Sequence, residues 1–229
     1  MDAMNQVRWA TFDCFGTLVD WRHGIATGAE LLFPGQGGRL LELYARHEPE
    51  VQRESPTLRY RQVLAETLRR ATREAGLALA EDDASVLATT IPYWPVFPEV
   101  ARSLTELRES GWRLALLTNC DRDIIGETQR RLDVPIDAVV TAEAVGGYKP
   151  APGHFTRFAE SFGATRDTWV HVAQSYFYDM VPAHELNIPR VWVNRQAETS
   201  DPSIVDAVLP DLADLTATVH AVHEAVLKS

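Results

Sequence analysis

Two cysteines, Cys14 and Cys120, are all that the 229 residues contain, and no CxxC spacing relates them. That scarcity excludes a disulfide framework and a thiolate zinc site, and it fits a reducing compartment. Positive charge is also in short supply: 22 Lys and Arg stand against 32 Asp and Glu, for a formal net charge of -10. Nucleic-acid binding needs a basic surface to neutralise phosphates, so no nucleic-acid partner is expected. Arg59, Arg61, Arg69, Arg70 and Arg73 do cluster, at spacings that read as the solvated face of a helix. No apolar run approaches the ~20 residues of a membrane helix. The N-terminus, a short polar lead from Met1 to Gln6, lacks a signal-peptide pattern. A cytoplasmic protein without a membrane partner is the expectation.

What is present is ordinary globular material, 45% hydrophobic and 24% charged, enough for one core and a smaller accessory unit. Val7 to Phe12 is apolar and β-prone and ends at Asp13, with Gly16-Thr17 just beyond: a buried strand entering a tight turn. From about Trp21 to Ile91 the period is helical, with Pro34-Gly35 and Gly76 as breaks and no strand pattern. Beyond Trp94-Pro95 the periods alternate. Strands are expected at Arg113 to Thr118, Ile136 to Thr141, Trp169 to Ala173 and Arg190 to Asn194. Helices are expected at Val100 to Ser110, Asp121 to Leu132, Pro152 to Phe162, Asp179 to Leu186 and Leu212 to Leu227. Alternation of this kind implies an α/β fold, a doubly wound parallel sheet covered on both faces. The first strand then pairs with strands found only after the helical insert. Residues 1–20 and 94–229 form the α/β core on this reading, and 21–93 an all-helical cap.

In such sheets the binding crevice lies at the carboxyl ends of the strands. There the sequence places Asp13, then Thr118-Asn119, then Lys149, then Gln174-Ser175 with Asp179 just beyond. An Asp at a strand end is commonly a turn or cap residue. Four such groups in this order, each following a strand, are hard to explain as turn chemistry.

The segment Phe12-Asp13-Cys14-Phe15-Gly16-Thr17-Leu18-Val19-Asp20-Trp21 resembles the first motif of the haloacid dehalogenase superfamily. Thr118-Asn119 is similar to its second motif, Lys149 to its third, and Gln174 to Asp179 to its fourth. The resemblance implies a Rossmann-like core with a cap between the first two motifs. Many members are magnesium-dependent phosphatases of small phosphate monoesters, and that activity is the alternative. Such phosphatases carry an aspartate two positions after the nucleophile, where this chain has Phe15, and an acidic metal ligand where it has Gln174. Both departures point to the metal-free branch, which resembles the L-2-haloacid dehalogenases and the azetidine-carboxylate hydrolases. Asp-Cys-aromatic-Gly-Thr-Leu-x-Asp-Trp and Trp94-Pro95-x-Phe97-Pro98 are more similar to the latter.

That branch implies a hydrolase using no metal and no cofactor, acting on a small carboxylate and forming a homodimer. Asp13 would attack carbon and form an aspartyl ester. Lys149 would keep Asp13 ionised, lowering its pKa by about 1–3 units. Thr118 and Asn119 would donate to substrate or leaving group, Asp179 would orient Lys149 or activate water, and Ser175 would orient that water. Phe15, Trp21, Tyr176 and Tyr178 would form a dry wall, with Gln174 beside them. The family's cap arginine follows a Phe-Pro-Gly-x-Gly turn. Here Phe33-Pro34-Gly35-Gln36-Gly37 is followed at the matching position by Ala45, which makes Arg46 the candidate substrate ligand. Tyr176 stands where those dehalogenases carry asparagine. His154, His171 and His184 show no shared spacing and are expected to be structural, Cys14 to face the core, and Asp20 to cap the first cap helix.

Overall fold

The computed structural model describes residues 6–229, so the polar lead up to Asn5 lies outside the described residues. The sheet is built from β1 (Arg8–Phe12), β2 (Trp112–Thr118), β3 (Ala138–Thr141), β4 (Trp169–Ala173), β5 (Arg190–Val193) and β6 (Ala207–Leu209). All pairings are parallel, in the order β3-β2-β1-β4-β5-β6. β6 was not expected. It is short, and its central Val208 is exposed, so it lacks the apolar run that marks the buried strands. β3 begins two residues later than the apolar pattern suggested.

Side chains alternate through the sheet and feed two cores. Ala10, Phe12, Leu114, Leu116, Val170 and Val172 face one side, and Trp9, Ala115, Leu117 and Trp169 face the other. The first layer is covered by α5 (Val100–Glu109) and α10 (Leu215–Leu227), the second by α8 (Gly153–Phe162) and α9 (Val181–Glu185). Burial on both faces explains why β1 and β2 read as continuous apolar runs.

Between β1 and β2 lies the helical insert: α1 (Trp21–Leu32), α2 (Gly37–Glu54), α3 (Tyr60–Ala75) and α4 (Val86–Thr90). The chain leaves and re-enters the core side by side. Asp20 N donates to Pro95 O at 2.8 Å, and Phe97 N donates to Leu18 O at 3.0 Å. The Asp20 carboxylate accepts from His23 N at 3.0 Å and so caps α1. The remaining helices, α6 (Arg122–Gln129) and α7 (Ala142–Val145), follow β2 and β3.

The cap arginines are not simply a solvated face. Arg59 pairs with Glu143 and Arg61 with Asp123, both residues of the core. Asp121, buried at the start of α6, accepts from Tyr60 N at 2.8 Å and Arg61 N at 3.1 Å. A core carboxylate thus satisfies the free amides at the N-terminus of a cap helix.

Gly24 of α1 faces the Trp94 ring so closely that a Cβ there would lie 2.2 Å from ring carbon. The ring is buried. Gly24→Ala is expected to destabilise the fold by about 1–3 kcal/mol through overpacking. Urea denaturation checks this: the midpoint should fall with the slope unchanged.

Candidate active site

Phe12 pairs with Leu116 on one side and Val172 on the other, so β1, β2 and β4 end close together. Strand order reverses beside β1, between the β2 and β4 sides, where open α/β sheets form their crevice. Asp13 leaves β1 with its N–H donating to Val172 O at 3.2 Å. Gly16 then turns the chain with φ of +106°, and a Cβ there would lie 2.8 Å from Gln174 Oε1. The positive φ is what requires glycine at that point.

Lys149 joins the strand ends. Its Nζ donates to Asp13 Oδ1 at 2.9 Å, to Leu117 O at 2.8 Å and to Asp179 Oδ1 at 2.6 Å. An ammonium has three hydrogens, so the lysine is fully engaged. Asn119 holds the lysine backbone from both sides, accepting from Lys149 N at 2.7 Å and donating to Lys149 O at 3.2 Å. It thus positions the lysine with its oxygen and one amide hydrogen, and the second Nδ2 hydrogen is left for the substrate or leaving group expected of it. Thr17 donates to Asp13 Oδ2 at 3.2 Å and accepts from Gln174 N at 2.8 Å.

The electrostatics differ from expectation at Asp13. Burial pushes its carboxyl above the ordinary range; Lys149 offsets part of this, and the Asp179 charge adds to the rise. Lys149 does not produce the net lowering that the bare pair would suggest, because burial outweighs its charge and Asp179 adds to the rise. Burial would also raise Asp179, but Lys149 and then the bond from His171 hold it below the usual value. Burial works against the Lys149 charge, yet the two carboxylates outweigh it and raise its pKa. Removing the lysine would strand two buried carboxylates, a loss of about 3–5 kcal/mol in comparable pairs.

Asp179 was expected to begin a helix. Instead a wide turn spans Tyr176–Met180, capped by Ser175 Oγ, which accepts from Tyr178 N at 3.0 Å. Asp179 lies inside that turn, fully buried, where His171 Nε2 meets its Oδ1 at 3.0 Å and His171 Nδ1 meets Thr11 Oγ1 at 2.8 Å. His171 thus belongs to the site network, contrary to expectation. Its signal was its inward position on β4, two residues before the strand end. His154 is structural: burial pushes its pKa down to about 3, and Nε2 meets Thr118 O at 3.1 Å. His184 meets Arg190. Cys14 is buried in the core.

A cavity of about 250 Å³ opens above these groups. Asp13, Lys149, Asp179, Thr118 and Asn119 line its floor, with Gln174 and Ser175 beside them. Phe15, Trp21, Tyr176 and Tyr178 form its walls. Phe15 stacks on Tyr60 with ring centroids 6.4 Å apart, and the Tyr176 hydroxyl donates to Asp201 O at 2.9 Å. Two hydroxyls at the cavity, Thr118 Oγ1 and Tyr178 Oη, are buried without a protein partner. A larger and more open groove of about 730 Å³ lies on the cap between α2, α3 and α4 and contains none of the strand-end groups.

Arg46 is not at the cavity. Its guanidinium binds Glu74 Oε1 at 2.7 Å on the outer side of the cap, with 62% of the side chain exposed. Two positions along a helix from Tyr44, it points about 200° away from that buried side chain. Glu48, one turn beyond Tyr44, lines the cavity in its place. Sequence reasoning passed over Glu48, although Leu40, Tyr44, Glu48 and Gln52 form one stripe at i, i+4 spacing.

A divalent cation finds little here. Among the described residues no group of three or more His, Cys, Asp or Glu side chains converges to hold a metal ion. Magnesium prefers an octahedron of hard oxygens. The carboxylates Asp13 and Asp179 are already bridged by Lys149, and Gln174 offers a neutral amide. The residues present do not fit the magnesium site of the family's phosphatases.

A family model described as haloacid dehalogenase-like hydrolase matches residues 7–173. The chain belongs to that family of hydrolases. Among curated relatives it is similar to the (S)-2-haloacid dehalogenase H-109 of Pseudomonas putida, with 26% identity over 204 residues, covering 86% of this chain and 90% of that protein. The crystal structure of an L-2-haloacid dehalogenase superposes with a TM-score of 0.83 at 26% identity, covering 94% of this chain and all of the other. The L-2-haloacid dehalogenase of Xanthobacter autotrophicus, with chloropropionic acid covalently bound, shares the fold at a TM-score of 0.83 and 21% identity, covering 94% and 99% of the two chains.

Two outcomes check this geometry. With Asp13 as the expected nucleophile, the reaction requires its ionised form, so activity is expected above its raised pKa and is expected to be lost as pH falls through it. Asp179→Asn removes a repulsive charge and leaves Lys149 to Asp13. The acid limb of kcat/KM is therefore expected to move to lower pH, and a limb that stays or rises contradicts the shared-lysine arrangement. Arg46→Ala is expected to leave KM within about twofold and stability within about 1 kcal/mol, as for an exposed ion pair. Steady-state kinetics and thermal melts measure both.

Proposed function

We propose that the protein is a metal-independent hydrolase that displaces a leaving group from a small 2-substituted carboxylic acid, through an ester formed on Asp13. The leaving group is a halide, as the names of its relatives indicate, or a strained ring amine. The observation that carries this reading is the floor of the cavity: an Asp13 carboxylate oriented by Lys149 and Thr17 beside Phe15, where an alkoxide-protonating acid would have to stand.

A carboxylate oxygen of Asp13 forms a bond to the substrate carbon, and the leaving group departs with its electron pair. A halide needs no proton, and an already protonated ring nitrogen leaves as a neutral amine. The aromatic walls exclude water, which leaves the carboxylate weakly solvated and more reactive toward carbon. Water then adds to the ester carbonyl of Asp13. The ester bond breaks, the product keeps the former Asp13 oxygen as its hydroxyl, and the water oxygen remains in the regenerated carboxylate. Asp179 Oδ2, which has no protein partner, is the acceptor for that water's proton and passes it to the departing oxygen, the second water proton is released as the Asp13 carboxylate re-forms, and Oδ1 positions Lys149. Thr118 and Tyr178 hydroxyls are donors for the substrate carboxylate. No cofactor takes part in these steps.

The same reading assigns a cytoplasmic enzyme on the strength of the two free thiols Cys14 and Cys120, and a homodimer by resemblance to the dehalogenases.

Single-turnover hydrolysis in ¹⁸O-water over 2-haloacids, azetidine-2-carboxylate and phosphate monoesters tests the proposal. Label is expected in Asp13 by peptide mass spectrometry, and excess EDTA should leave the rate unchanged. Turnover of a 2-haloacid or azetidine substrate without label in Asp13 would defeat the ester mechanism, and phosphatase activity lost to chelation would restore the alternative.

A further inference from the structure

The cap contributes acceptors to the cavity where a binder of simple acids needs donors. α2 turns the stripe Leu40, Tyr44, Glu48 and Gln52 inward. Tyr44 Oη donates to Glu48 Oε1 at 3.3 Å, and Tyr60 Oη donates to the same oxygen at 3.0 Å. Two phenols thus fix one oxygen of the carboxylate, and among the described residues Oε2 has no partner. One turn further on, Gln52 is 7% exposed, and its Oε1 is buried with no hydrogen-bond partner. Both residues line the cavity.

The charge balance points the same way. The lining contains the carboxylates of Asp13, Glu48, Asp179 and Glu198, and Lys149 is its one cation. All three lysine hydrogens are engaged by protein oxygens. A monoanion entering this cavity meets excess negative charge with no cation free to receive it. A zwitterion carries no net charge, and its N–H groups match the acceptors on α2. Burial pushes the Glu48 carboxyl above the usual range; the Tyr60 and Tyr44 bonds offset part of this, and Asp13 adds to it. A ligand cation beside Glu48 lowers the cost of keeping its charge.

We propose that Glu48 and Gln52 form a cation subsite for a protonated amine, so that the substrates of this enzyme are amino acids rather than simple 2-substituted acids. This rests on reading the cavity above Asp13 as the substrate pocket. The ammonium donates to Glu48 Oε2 and Gln52 Oε1, while the substrate carboxylate takes the Thr118 and Tyr178 hydroxyls. Glu48 is then the specificity-determining residue of the cap.

Two unreactive rings of nearly equal shape separate the possibilities. Pyrrolidine-2-carboxylate carries an ammonium where cyclopentanecarboxylate carries a methylene, and neither has a strained bond to open. Calorimetric titration of the wild-type protein is expected to show the amine binding at least about tenfold more tightly, as a charge-assisted hydrogen bond provides. Glu48→Gln keeps the shape and an oxygen for the two phenols, and should bring the pair within about twofold of each other. Equal binding of the two rings by wild type overturns the proposal without any variant being needed. So does an amine preference that survives Glu48→Gln, or a loss that weakens both rings alike, which would mark Glu48 as merely structural. The titration involves no turnover, so its result is independent of whether Asp13 takes up label.

Discussion

The Lys149 ammonium, buried and shared between Asp13 and Asp179, is the interaction on which the rest of the site depends. Two carboxylates taken out of water repel each other and lose their hydration, and neither would stay charged without a cation between them. One lysine cannot satisfy both equally. Asp179 has the shorter bond and a second donor in His171, so it keeps its charge most firmly. Asp13 keeps the more exchangeable charge, which suits the ester-forming role proposed for it. Leu117 O and the clamp from Asn119 fix the lysine in place, so the site is held by backbone as much as by side chains.

Above this floor the cap decides what can enter. α2 is amphipathic, and rotation about its axis determines which polar residue meets the cavity. The buried stripe through Leu40 and Tyr44 brings Glu48 inward and leaves Arg46 paired with Glu74 outside. Cap and core are tied at the antiparallel crossing near Val19 and Val96 and again where Asp121 receives the first amides of α3. The second tie sets the N-terminus of α3, and with it Tyr60, whose ring stacks on Phe15 and whose hydroxyl holds Glu48. Nucleophile loop and cap are thus linked through one tyrosine.

Much of this was legible in the residues. The run from Val7 to Phe12 and the alternation after Trp94 named every buried strand, because strands covered on both faces need uninterrupted apolar runs. The short edge strand β6, with its central Val208 exposed, carried no such pattern. Asp13, Lys149 and Asp179 could be placed at one edge because a parallel sheet sends all its carboxyl ends the same way. The helix start was misplaced at Asp179 because an aspartate before a helical pattern resembles a cap, whereas Ser175 fills that role three-dimensionally. His171 looked isolated, since its partners Asp179 and Thr11 are brought to it by the turn and by sheet pairing.

By itself the sequence determined the α/β core with its helical insert, the order of groups along the strand ends, and the absence of an acid at Phe15 and of a carboxylate at Gln174. These depend on residue type and on local periodicity, which a linear chain displays. Only the tertiary structure decided that Lys149 is divided between two carboxylates, that burial raises Asp13 rather than leaving it lowered, and that Glu48 faces the cavity in place of Arg46. Those outcomes depend on distances between residues 30 and 136 positions apart, and on the rotation of one helix against a sheet, and local pattern specifies neither.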